Sequence, residues 1–61
     1  MTTRERLDEI RALMRQHEYT YADMQAGELY EDFIWDRVKL TEDEWNELFL
    51  YINAISYHVY G

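Results

Sequence analysis

The segment Leu40-Thr41-Glu42-Asp43-Glu44-Trp45 marks a helix start more firmly than any other stretch of this chain, and it limits the fold to those built around a long C-terminal helix. Thr41 and Glu44 stand at the spacing of a capping box. In that arrangement the threonine side chain satisfies the backbone N–H three residues on, and the glutamate reaches back to the threonine's own N–H. Leu40 precedes the cap and is placed to pack on Trp45 as a hydrophobic staple. Glu42, Asp43 and Glu44 complement the positive end of the helix dipole. From there Trp45, Leu48, Phe49, Ile52, Ile55, Ser56 and Val59 recur at helical spacing, which predicts a helix over about residues 42–60. This helix is apolar on a second side as well. At about 100° per residue, Leu50, Ala54 and Tyr57 form a stripe roughly opposite the first, with Tyr51 and His58 on a flank. A helix apolar most of the way round is straddled by its neighbours or covered by another chain. The pattern predicts a homodimer, with Leu50, Tyr51, Ala54 and Tyr57 as its contact.

The rest of the chain also reads as helical. Thr2 and Glu5 repeat the capping-box spacing, and Leu7, Ile10, Leu13, Met14 and His17 follow at intervals of three and four, so a first helix is expected over about 3–17. Residues 18–27 form the joint. Tyr19-Thr20-Tyr21 alternates like a strand but is too short and has no partner strand. A short turn over 21–26, capped by Thr20 and ended by Gly27, is the helical alternative. A second full helix then covers about 28–39, with Tyr30, Phe33, Ile34 and Val38 on one face and Trp35 to the side. The expected fold is all-α: a single domain over 1–61, a three-helix bundle that becomes four if the 21–26 turn stands as its own helix.

Sixty-one residues bury only about 60% of the surface of the unfolded chain, so stability is marginal. With no cysteine, neither disulfides nor thiolate metal sites can compensate. Two Trp, two Phe and six Tyr supply packing material instead. Residues 1–11 are charged throughout and unlike a signal peptide, and no run approaches the ~18 apolar residues of a membrane span. A soluble, cytoplasmic protein is expected.

The net charge of −7 is unevenly spread. Residues 1–17 hold four arginines against Glu5, Asp8 and Glu9, a balance of +1. Residues 18–47 hold Glu18, Asp23, Glu28, Glu31, Asp32, Asp36, Glu42, Asp43, Glu44 and Glu47 against Arg37 and Lys39, a balance of −8. Residues 48–61 carry no Asp, Glu, Lys or Arg. These acids fall mainly on predicted solvent faces, where a catalytic pair needs a cleft that raises one pKa. His17 and His58 follow Met14 and Ile55 by three residues and lack the Glu-x-x-His pairing of carboxylate metal bundles. Two glycines cannot build a phosphate-cradling loop, and Ser56 lies on a core-facing side. No enzymatic activity, cofactor or metal is expected. The chain reads as a binder of other proteins.

Glu28, Asp32 and Asp36 are spaced by four, so on one helix they repeat about every 6 Å, close to the ~6.8 Å rise of two nucleotides along a duplex strand. With Glu31, Asp43, Glu44 and Glu47 they make a candidate partner-binding acidic face. In size, charge and aromatic richness the chain resembles the small acidic proteins that phages and mobile elements use to block host defences, anti-restriction and anti-CRISPR proteins among them. The resemblance is one of composition. It implies an inhibitor acting in a host cell's cytoplasm, occupying the nucleic-acid channel of a host enzyme with the carboxylates of residues 28–47, tyrosines at the rim, and no direct binding of nucleic acid. Two other classes fit the same chain. A structural, assembly or regulatory subunit would use the apolar aromatic helix face. A helix-turn-helix regulator has the element order, but acids stand where a phosphate backbone demands Lys and Arg.

Overall fold

Both capping boxes form. The Thr2 hydroxyl accepts from the Glu5 N–H at 3.1 Å while the Glu5 carboxylate accepts from the Thr2 N–H at 3.0 Å. Thr41 and Glu44 do the same at 3.2 and 2.9 Å. In the computed structural model, which describes all 61 residues, these starts open α1 (Thr3–Arg15) and α3 (Glu42–Val59), with α2 (Tyr19–Ile34) between them. The chain is all-helical, without strands. Leu40 and Trp45 pack against the same core, as the staple requires.

The second helix departs from the sequence reading. It begins at Tyr19 rather than 28, ends at Ile34 rather than 39, and runs unbroken through Gly27. The joint falls at residues 35–41 instead of 18–27, and no separate 21–26 turn exists. Gly27 has ordinary helical backbone, so the turn a helix-turn-helix would need there is absent. The true helix ends are made without glycine. Past α1, His17 takes a left-handed φ of 60°; its N–H donates to Met14 O, and the Glu18 N–H donates to Leu13 O. Past α2, Asp36 takes φ 63°; its N–H donates to Phe33 O, and the Arg37 N–H donates to Asp32 O. Both are Schellman motifs, which satisfy the last carbonyls of a helix through one left-handed residue. α1 accordingly stops at Arg15, two residues short of the expected end, and His17 lies exposed outside the apolar stripe.

Leu7 and Ile10 of α1, Ala22, Ala26 and Leu29 of α2, and Leu48 and Ile55 of α3 form the fully buried core. On α2 the inward row is Tyr19, Ala22, Ala26, Leu29 and Phe33, at alternating steps of three and four. The two alanines let its neighbours approach closely. α3 turns Leu48, Tyr51, Ile52 and Ile55 inward. Phe49 and Val59, expected in that stripe, are 50% and 38% exposed.

Side-chain bonds between helices fix an up-down-up order. Arg6 of α1 pairs with Asp32 of α2 at 2.9 Å, joining the start of one to the end of the other. Tyr60, just past α3, donates to Asp23 near the start of α2 at 3.1 Å. Arg4 of α1 grips Glu47 of α3 with both guanidinium ends, one of them at 3.0 Å, so α1 and α3 run parallel.

Candidate functional site

The seven acids of the candidate face divide into two groups. Asp32 is held between Arg6 at 2.9 Å and Arg37 at 3.1 Å. These two guanidinium bonds, the one from Arg6 first, keep its carboxyl below the ordinary aspartate value. Glu47 accepts from Arg4 and from the Tyr51 hydroxyl at 2.6 Å, and the Arg4 bond likewise depresses its pKa. Glu44 is spent on the cap of α3. Glu28, Glu31, Asp36 and Asp43 are exposed and join no ion pair. The expected line of Glu28, Asp32 and Asp36 does not form, because α2 ends at Ile34 and Asp36 sits on the left-handed turn beyond it. Long-range arginine pairs were invisible to a reading along one helix.

The apolar candidates also divide. Leu50 is 66% exposed and Tyr57 75%, on the outer side of α3 away from the core. Ala54 is half-buried beside them. Tyr51 instead packs against the core, where burial, followed by its bond to Glu47, pushes its phenol up to about 12. It is a structural residue at the α1–α3 seam. Around Leu50 and Tyr57 the same outer side presents Asn46, Phe49, Asn53 and Tyr60, all exposed. From residue 48 onward no side chain there is charged. The helical spacing of 46, 50, 53, 57 and 60 is readable in the sequence, but Phe49 matches the core-facing period by its apolarity and Asn46 and Asn53 give no apolar signal.

Aromatic rings close both ends of the α2–α3 seam. At one end Trp45 stacks on Phe33 with centroids 5.1 Å apart and on Tyr30 at 5.9 Å, and Phe49 continues the cluster at 6.0 Å. At the other, His58 stacks on Tyr19 at 4.1 Å, with His17 edge-on to Tyr19 and Tyr57 edge-on to His58. Both histidines are thus engaged in ring packing.

The surface has one open depression, along α1, lined by Asp8, Arg11, Ala12, Arg15 and Gln16. No three His, Asp or Glu side chains converge as a metal-ligand set. No helix is long and apolar enough to cross a membrane. Comparison with protein families, curated proteins and solved structures finds no match for the chain.

Proposed function

We propose that this chain is a non-catalytic, protein-binding inhibitor or assembly subunit that works by contact, through the uncharged outer face of α3. One observation carries the reading: Leu50 and Tyr57 stand 66% and 75% exposed on a face without a charged residue from position 48 on, in a chain that is 31% charged as a whole. Desolvating such a face costs little, and tyrosine and phenylalanine are favoured contact residues at protein interfaces. The acids on α2 and at the start of α3 then keep the remainder of the molecule solvated.

The second reading is nucleic-acid mimicry against a nucleic-acid-binding enzyme. It is favoured by Glu28, Glu31, Asp36 and Asp43, which are exposed and unpaired in a chain of net charge −7. Salt separates the two. Affinity capture from the native lysate at about 50 and 500 mM salt, followed by mass spectrometry, gives the same partners at both if the α3 face is the contact. Leu50→Ala and Tyr57→Ala then each lower recovery, and Glu28→Lys with Glu31→Lys does not. Recovery only at low salt, lost with the two lysine substitutions, reverses the order of the readings.

A further inference from the structure

The outer face of α3 is exposed and free of charged side chains from residue 48 on. We infer that a second copy of this chain covers it, in an antiparallel two-fold pairing of α3 helices that sets Arg15 of each copy against Asp43 of the other. This rests on the reading of that face as a contact surface.

Charge selects the face. Two molecules of net charge −7 repel, and they approach at least cost where neither presents a carboxylate. Residues 48–61, which form the outer side of α3 and its end, include no Asp or Glu, and the Asp23 carboxylate at that edge accepts from the Tyr60 hydroxyl. Area permits the contact. Phe49, Leu50, Tyr57 and Tyr60 are 50%, 66%, 75% and 75% exposed. With ~150–250 Å² per aromatic ring, they offer roughly 500 Å². Asn46, Asn53 and Ala54 extend this towards the ~800 Å² per partner of a standard interface.

The unpaired charges at its edges then set the direction. α1 runs parallel to α3, with Arg4 on Glu47 and the Arg11 charge felt at Glu47 and Tyr51. Arg15, about 6 Å further along α1, therefore lies beside the C-terminal half of α3. Neither Arg11 nor Arg15 joins an ion pair within the chain. Asp43, equally unpaired and exposed, lies at the opposite end of α3. A two-fold contact brings the same patch of both copies together. A parallel pairing gathers both Asp43 carboxylates at one end and both Arg15 guanidiniums at the other, so neither meets an opposite charge. The antiparallel pairing, centred between Leu50 and Asn53, sets Arg15 against Asp43 twice and lays Tyr57 over Asn46.

Sedimentation equilibrium at about 100 µM tests this, a concentration well above the ~µM dissociation constants that interfaces of this size reach or improve on. The wild type is expected to be a dimer. Arg15→Glu and Asp43→Lys each weaken self-association at least tenfold; each also sets its charge against a helix dipole, so circular dichroism is used to confirm that both variants are folded at the temperature of the experiment. An equimolar mixture of the two variants restores the dimer, since both contacts again join opposite charges. A monomeric wild type, or a mixture that associates no better than either variant alone, overturns the inference. If the wild type is monomeric yet Leu50→Ala and Tyr57→Ala lose a captured foreign protein, the second copy is wrong and the contact face stands. A wild-type dimer indifferent to both alanine substitutions forms through another surface and overturns the inference.

Discussion

Three backbone positions carry conformational cost, and at two of them no side-chain contact compensates it. Gly27 lies in the middle of α2, with ordinary helical φ, and a Cβ built on it meets nothing within 4 Å. Glycine in a helix interior is about 0.8–1 kcal/mol less favourable than alanine. Gly27→Ala is therefore expected to raise stability by about 1 kcal/mol, measured by urea unfolding with an unchanged m-value. Asp36 and His17 pose the opposite case, side-chain-bearing residues held left-handed where glycine is at ease. Asp36 is exposed and its side chain makes no hydrogen bond, so Asp36→Gly is expected to add up to about 1 kcal/mol. His17 stacks edge-on to Tyr19, and its replacement gives up that contact.

At the scale of elements, what was legible and what was not divides by the range of the interaction that decides it. The starts of α1 and α3 depend on side chains three residues apart and could be read directly from Thr2-Glu5 and Thr41-Glu44. Thr41→Ala is expected to cost about 1 kcal/mol, since it frees a backbone donor at the head of the longest helix. α2 has no side-chain cap at its start, and its end uses Asp36 where a glycine was sought. Gly27, the sole internal glycine, drew the boundary to itself. The inward row of α2 also includes Ala22 and Ala26, whose small side chains give a weak apolar signal, and Leu29, whose signal is masked by the acids and tyrosines around it. Leu29 is fully buried, so Leu29→Ala is expected to cost about 2–5 kcal/mol, enough to unfold much of the population of so small a domain. Of the candidate site, the exposed α3 stripe was legible because periodicity within one helix defines it. The division of the acids into paired and free was not, because Arg6–Asp32 and Arg4–Glu47 each join different helices.

For the whole molecule, the interhelical pairs and the cap of α1 tie stability to pH. The folded state lowers the pKa values of Glu5, Asp32 and Glu47, chiefly through bonds from Thr2, Arg6 and Arg4. Their contribution is full above the unfolded values of 4.5 and 3.8 and is lost as pH falls through the lower folded values. Tyr51 acts at the other limit: its neutral form is favoured, so stability falls as pH rises from 10 towards about 12. Thermal unfolding across this range is expected to show both limbs, the acid one flattened by Glu47→Gln and the alkaline one by Tyr51→Phe. The two tryptophans meanwhile occupy opposite environments. Trp45 sits half-buried among Phe33, Tyr30 and Phe49, while Trp35 is 68% exposed at the foot of α2. The fluorescence of the protein is therefore the sum of a blue-shifted emitter and a water-bathed one. Iodide extinguishes the second first, so a chain with Trp35→Phe glows only from its interior and reports, by colour alone, whether α2 and α3 are still together.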